Sequence, residues 1–371
     1  MIAAVHPLTG VAAQFNAAMM AALRERGPVD LISWRRMYPP FVYRGLDRDD
    51  RSSPPGQVAA DFVLDWHDPR TWRAALRRFD AFGTEALVLP WLHPVSAPPY
   101  RWLLRHARNM RRVVVCHNVL PHERLPGAAW LTRSTLRRAD LLVTHAPQQA
   151  DELRALGLGS IAVLPAFHPR FVAEDLAPPA ADAAVAAERR RLGNPGLLLL
   201  FFGAVRPYKG LDLALQALAQ VDRSLDARLV VAGRFWEPRE RYDSLIESLG
   251  LGGRVDIRDG YIPNDEAALL FAAADGAVLP YRSATQSGVA QLAFAYGKPV
   301  VATRVGGLPA AVEHGRTGFL VPADNPFAFA RAVERLATDR ARLAAGIDAC
   351  AGEHSFERYA DLLLEAIGRT P

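Results

Sequence analysis

The stretch Leu197–Leu213, LLLLFFGAVRPYKGLDL, decides the reading of this 371-residue chain. Its apolar run, Leu197 to Phe202, stops at Gly203. After a short turn carrying Arg206 and Lys209 the pattern resumes at Gly210 with helical spacing, Leu211, Leu215 and Leu218. An unbroken apolar run followed by a period of 3.6 spells strand, turn, helix. Such a turn at the carboxyl end of a parallel strand, with glycines on both sides and a helix N-terminus behind it, offers backbone N–H groups and partial positive charge to an anion. Arg206 adds a planar fork and Lys209 a point charge, a pair suited to the two phosphates of a diphosphate. An ordinary αβ unit with solvated cations has the same pattern, so the surrounding chain has to choose.

Downstream, strands are predicted at 197–202, 228–232, 255–257, 276–279, 299–302 and 318–321, separated by helical patterns near 211–221, 240–249, 265–274, 288–296 and 326–337. Six strands alternating with helices make a doubly wound parallel sheet. Upstream the plan repeats. Val5, the glycine-containing loop His6 to Gly10 and the helical pattern Phe15, Met19, Leu23 form a first unit, followed by strands at Leu31–Trp34, Ala86–Leu89, Val113–Val115, Leu141–Thr144 and Ser160–Pro165. The segment 172–196, VAEDLAPPAADAAVAAERRRLGNPG, reads as a linker holding one helix, between a first domain, 1–171, and a second that starts at 197.

Composition narrows the function classes. The chain is 50% hydrophobic and 22% charged, and no stretch approaches the roughly 18 uncharged apolar residues of a membrane span. MIAAVHPLTG reads as a first strand rather than a secretion leader. Two cysteines, Cys116 and Cys350, make neither a disulfide framework nor a cysteine metal site, which fits a reducing cytoplasm. Residues 1–171 hold 22 Arg against 14 Asp and Glu, a balance of +8, whereas the remainder is net acidic. Within that basic half, a helix expected from about Tyr100 sets Arg101, Arg105, Arg108 and Arg112 on one stripe beside Trp102 and Leu103. The stripe suits either anionic lipid headgroups at the inner face of a membrane or simple solvation. Nucleic acid is not an expected partner, because no basic recognition helix or aromatic stacking motif accompanies the charge.

Two further turns carry polar chemistry. The strand Val113–Val115 ends in CHNVLPHE, which puts His117, Asn118, His122 and Glu123 at a strand's carboxyl end, where open parallel sheets bind ligands. The spacing from His117 to His122 is not that of a helical zinc pair and Pro121 argues against a helix, so no metal is expected. In SATQSGVAQ, Ser287 and Gly288 stand at the start of a helix and form a second anion cradle. Two such cradles, with Gly10 and His117 from the other domain, predict a diphosphate held in a cleft between domains.

FGAVRPYKG, LPYRSATQSGVAQLAFAYGKPVVAT and VGGLPAAVEHGRTGFLVP, together with CHNVLPHE and HSFERYADLLLEAIG, resemble retaining glycosyltransferases of family 4. The resemblance implies an α/β fold of GT-B architecture, two Rossmann-like doubly wound domains facing across a central cleft. The second domain would be 197–352, and a last helix, 353–371, would cross back to the first. It implies that Arg206 and Lys209, behind Gly203, bind the diphosphate of a UDP- or GDP-linked sugar. The turn Gln286, Ser287, Gly288 and Val289 would meet phosphate and sugar through its backbone, and Ile262 would meet the base through main chain. Gly10 would lie in an N-terminal glycine loop, and His117 would touch the donor sugar near the reacting carbon. The catalytic set is then His117, Arg206 and Lys209, with no cofactor and no metal. The family's Glu-x7-Glu is missing, since Ala284 and Leu292 occupy those positions. Ribose and sugar contacts would pass to Ser287, Gln286 and Gln291. The implied activity is transfer of a hexose-type sugar to a glycan, lipid-linked or small-molecule hydroxyl acceptor in polysaccharide or glycoconjugate synthesis. A non-catalytic nucleotide-sugar binder, or an epimerase or phosphorylase of the same fold, stays open.

Overall fold

Alternation of strand and helix is realised twice in the computed structural model, which describes residues 1–5, 11–37, 58–121, 125–173, 177, 179–284 and 287–369. The chain divides into two units, Met1–Pro169 with His354–Pro371, and Arg170–Glu353.

In the first unit the strands are β1 (Ile32–Arg36), β2 (Asp61–Asp65), β3 (Ala86–Trp91), β4 (Arg111–Cys116), β5 (Leu141–Thr144) and β6 (Ala162–Pro165), all paired in parallel. The N-terminal residues stitch the two ladders together. Ile2 donates its N–H to the Val88 carbonyl (3.1 Å) and Ala3 to that of Ile32 (3.1 Å). Helices α1 (Val11–Arg24), α2 (Pro69–Phe82), α3 (Ala97–His106), α4 (Ala128–Leu136) and α5 (Pro147–Ala155) accompany the sheet. Strand β2 and helix α2 are not among the elements predicted above, although the helix is well marked. Asp68 caps it by accepting from the Arg70 N–H (3.0 Å), Pro69 opens it, and Gly83 closes it at φ +72°.

The Arg stripe is corrected by where α3 ends. Ala107 closes the helix after His106, so Arg108 lies beyond it, and Arg112 sits on β4, where it clasps Asp140 through its N–H (2.8 Å) and Nε (2.9 Å). Only Arg101 and Arg105 remain on the helix.

In the second unit, helix α6 (Asp182–Arg191) leads into β7 (Leu197–Phe202), α7 (Leu211–Gln220), β8 (Ala227–Ala232), α8 (Glu240–Ser248), β9 (Val255–Arg258), α9 (Asn264–Ala273), β10 (Gly276–Leu279), α10 (Gly288–Ala295), β11 (Val300–Thr303), α11 (Leu308–Ala311), β12 (Gly318–Val321) and the 24-residue α12 (Pro326–Ala349). The linker expected over 172–196 therefore carries a helix that belongs to this unit. Its Arg189 donates to the Ala273 carbonyl (2.7 Å) and pairs with Asp275 (3.3 Å), fixing it beside α9. Strand order is β12-β11-β10-β7-β8-β9, all parallel. The order reverses between β10 and β7, and the loops leaving those two strands open a crevice at the carboxyl edge of the sheet. Beneath it Leu197, Leu199 and Phe201 of β7 pack with Leu211 and Leu215 of α7, all almost fully buried. Helix α13 (Phe356–Arg369) returns to the first unit, where Arg26 meets Asp361 at 2.5 and 3.1 Å.

Candidate active site

Both anion cradles read from the sequence follow strands at that switch point, the Arg206/Lys209 turn after β7 and the Ser287/Gly288 turn after β10. Gly203 ends β7 at φ +90°, a conformation costly for any residue with a side chain. A Cβ there would also stand 3.1 Å from the Lys209 ammonium and 3.8 Å from Val289 Cγ2, so the bare backbone of Gly203 is what lets Lys209 lie over the strand end. Arg206 then caps a single 3-10 turn, Pro207–Lys209, which Gly210 closes at φ +67° before α7 begins. Gly210 is packed so closely on the Pro280 carbonyl that no Cβ fits. The chain after β7 is thereby locked onto the chain after β10.

A second clamp reinforces the first. Arg282 donates its backbone N–H to the Tyr208 carbonyl (2.7 Å), and its guanidinium binds Asp212 at 2.8 and 2.9 Å, Asp324 at 2.8 Å and the Pro207 carbonyl at 3.3 Å. Burial pushes the Asp212 carboxyl upward, but the paired hydrogen bonds from Arg282 outweigh it and hold the group below the usual carboxylate range.

Lys209 has no such counter-ion. Its ammonium stands 5.5 Å from the centre of the Tyr281 ring and makes no hydrogen bond to a described residue. Burial, and then the neighbouring Arg206 charge, lower its pKa to about 8. Arg206 stacks on the indole of Trp236, guanidinium carbon 4.1 Å from the ring centre. Two like charges gathered at a helix-flanked strand end constitute an electrostatic trap for an anion of charge two or more.

The α10 side supplies the facing group. Ser287 is its N-cap and accepts from the Ala290 N–H (3.3 Å), leaving the N–H groups of the first turn at the strand edge. Tyr281 is buried beneath, and burial raises its hydroxyl pKa against a smaller lowering by Ser287. Gly288 opens the helix, Val289 turns toward Gly203, and Gln291 is buried with Oε1 lacking a partner among the described residues. Ile262 lies partly buried in the loop between β9 and α9. The second unit thus brings together Gly203, Arg206, Lys209, Ser287, Gly288, Val289 and Gln291; Gly10, Gln286, His122 and Glu123 fall outside the described residues.

Ala284 and Leu292, which stand at the positions of the Glu-x7-Glu pair, are both buried and apolar. The Ala284 carbonyl accepts from the Gly307 N–H (3.2 Å), and Gly306, at φ +49°, packs so tightly against it that no Cβ fits. The glycine pair of VGGLP is thus accounted for by the shape of the α10 entry turn.

His117 is placed in the first unit at the end of β4, with its N–H bonded to the Trp91 carbonyl (3.0 Å) and its own carbonyl accepting from Gln149 (2.9 Å). Phe15 meets its ring edge-on at 4.6 Å, and the buried His145 and partly buried His168 complete the group. Burial, with the His168 charge second, lowers the His117 pKa to about 3. Its Nε2 is buried and has no partner among the described residues, and the lowered pKa keeps the ring neutral. His93 has a plainer task, its Nδ1 accepting from the Val95 N–H (3.2 Å). Among the described residues no group of three or more His, Cys, Asp or Glu could hold a metal ion.

Trp236, Arg282, Asp212 and Tyr281 were missed. A lone Trp four residues past β8, in AGRFWEP, and an acid two residues into α7, in KGLDL, were the available signals.

Residues 196–339 match the family model described as glycosyl transferases group 1. That span includes every described residue of the second-unit site. The D-inositol 3-phosphate glycosyltransferase 1 of Catenulispora acidiphila is 36% identical over 223 residues, 57% of this chain and 52% of that protein. The chain spans about half the length of the curated relatives it matches. Among solved structures, sucrose-phosphate synthase from Thermosynechococcus elongatus is similar over 95% of this chain and 91% of its own, with TM-score 0.69 and 22% identity. Anabaena HepE in complex with UDP-glucose is similar over 98% of both chains, with TM-score 0.72 and 16% identity. The fold is therefore α/β of the GT-B class.

Proposed function

We propose that the protein is a retaining, metal-independent glycosyltransferase. It moves a hexose-type sugar from a UDP- or GDP-linked donor to a glycan, lipid-linked or small-molecule hydroxyl in polysaccharide or glycoconjugate synthesis. The observation that carries this reading is the Arg206/Lys209 pair over the bare backbone of Gly203, facing the α10 N-terminus across the sheet's switch point. The matched family description, the names of the relatives and the UDP-glucose in the HepE structure support the same reading.

Cleavage of the bond between the anomeric carbon and the diphosphate oxygen leaves negative charge on that oxygen. Arg206, Lys209 and the helix N–H groups stabilise it in place, without reorganisation. The acceptor oxygen bonds to the anomeric carbon on the departing face, and its proton passes to a phosphate oxygen. His117, neutral at working pH, positions the sugar. Phosphorylated polyols join the acceptor candidates through the relatives' name.

The acceptor side extends to a surface. Arg101 of α3 stacks on Trp130 of α4 at 5.5 Å, and Arg101, Arg137 and Arg105 lie near enough to lower the Arg138 pKa, after burial. Trp130 is 62% exposed and Leu125 42%. A basic face with apolar side chains standing out of it suits anionic lipid headgroups and supports a cytoplasmic protein that lies peripherally at the inner membrane face. Among the described residues no helix is long and apolar enough to cross a membrane.

Ala284 and Leu292 favour a second reading, a nucleotide-sugar binder without turnover. A thermal-shift screen of UDP, GDP, dTDP and their sugars, followed by acceptor-dependent nucleotide release, separates the two. Transfer requires release, insensitivity to EDTA and an unchanged anomeric configuration in the product by NMR. Binding without release supports the binder, and an absence of binding overturns both.

A further inference from the structure

We infer that Trp236 is a positioning residue for the donor diphosphate, acting by holding the Arg206 guanidinium beside Lys209. The inference rests on the donor-site reading above. Arg206 and Lys209 carry like charges and repel one another, an effect that adds to burial in lowering the Lys209 pKa, and an arginine with a long side chain would relieve that repulsion by swinging into water. The indole face 4.1 Å from its guanidinium carbon opposes the escape, since the ring's π-cloud attracts a cation and fixes its plane. A guanidinium already fixed has little rotamer entropy left to lose when the diphosphate arrives.

The indole itself is anchored. Val205 donates its N–H to the Arg234 carbonyl (2.8 Å) and Trp236 donates to that of Val205 (3.0 Å), so the Trp backbone is tied to the residue that precedes Arg206. Phe235 donates its N–H to the Asp259 carboxylate (3.1 Å), and its ring meets Tyr242 edge-on at 5.6 Å. The Tyr242 hydroxyl donates to the carboxylate of Glu237, the residue that follows Trp236. Gly233, with its Cα against the Gly203 carbonyl, allows the two loops to run this close. Trp236 is nevertheless 40% exposed, so its side chain contributes little to the core, and a site role accounts for a large indole at a strand-end loop.

The test is calorimetric titration of the full-length chain with inorganic pyrophosphate and, separately, UDP. The proteins compared are wild type, Trp236→Ala, Trp236→Phe, Arg206→Ala and the Arg206→Ala/Trp236→Ala double variant. Trp236→Ala is expected to weaken pyrophosphate binding by about 5- to 30-fold, and Trp236→Phe, which keeps a π-face, by less than about 3-fold. In the Arg206→Ala background the Trp236→Ala change should cost less than about 2-fold, because its effect passes through Arg206. A full penalty persisting without Arg206, or wild-type affinity in Trp236→Ala, overturns the inference while leaving the donor site intact. Wild-type protein that binds neither pyrophosphate nor UDP overturns the donor-site reading and this inference with it. Trp236→Phe, with the smaller structural change, keeps the comparison decisive if the alanine variant unfolds.

Discussion

Arg282 and Asp212 face each other with two hydrogen bonds, 2.8 and 2.9 Å, and this pair divides the cations of the switch point into two kinds. Arg282 is committed to protein carboxylates and to the carbonyls of the cation-bearing turn. Lys209, in that same turn, has no protein acceptor among the described residues. Removing Arg282 should therefore cost stability first. Arg282→Ala leaves a half-buried Asp212 unpaired, so a loss of about 1–3 kcal/mol is expected, read as a lower urea midpoint with an unchanged slope. Equal stability with a loss of nucleotide affinity would reverse the assignment and make Arg282 the ligand-binding cation.

Lys209 gives a pH signature. Its folded pKa of about 8 lies below the ordinary value of 10.5, so between those limits the unfolded chain binds more protons, and this group's contribution to stability rises with pH. Diphosphate binding has the opposite sense, because the ligand favours the ammonium. Affinity for UDP should be level below pH 8 and fall above it. Lys209→Arg, charged throughout, should remove the bend. A wild-type profile that is flat to pH 10 would contradict the assignment.

His117 should behave differently. With its pKa at about 3 it is neutral throughout the range in which the protein is folded and active, so it contributes no inflection near pH 6.5 to the turnover profile. His117→Ala should lower kcat by about 10- to 100-fold with little change in nucleotide Kd. A loss confined to nucleotide affinity would remove His117 from the reacting end of the donor.

Gly306 tests the architecture. Gly306→Ala puts a Cβ into the Ala284 carbonyl at a positive φ, and the α10 entry turn must shift to admit it. A destabilisation above about 2 kcal/mol and weaker UDP binding are expected together. An alanine variant that matches wild type in both would show that the turn tolerates rearrangement.

Much of this was legible in the residues. The doubly wound sheet followed from LLLLFF, RLVVA, GAVL and VVAT, short apolar runs at even spacing, and the Arg206/Lys209 turn followed from the glycines that bracket it. Residues further apart were not legible. Arg282 and Asp212 are 70 positions apart and meet only because β7 and β10 are neighbours in the sheet. Trp236 reaches Arg206 because β8 lies beside β7, a pairing that periodicity does not supply. The Arg stripe failed for a local reason. Helical spacing ran on through Arg108 and Arg112, but α3 stops at His106 and Arg112 is drawn into β4 by Asp140. Helix α2 is legible in its ends rather than its middle, since Asp68 and Pro69 mark its start and Gly83 its close.

The central claim is that the second unit grips a diphosphate with Arg206 and Lys209. The most direct measurement compares UDP with uridine by calorimetry, in wild type and in Lys209→Met, which keeps the length of the stem and drops the charge. UDP should bind wild type at least about 100-fold more tightly than uridine, and Lys209→Met should close most of that gap while leaving uridine binding unchanged. Equal affinity of wild type for UDP and uridine, or a gap that survives in Lys209→Met, would contradict it.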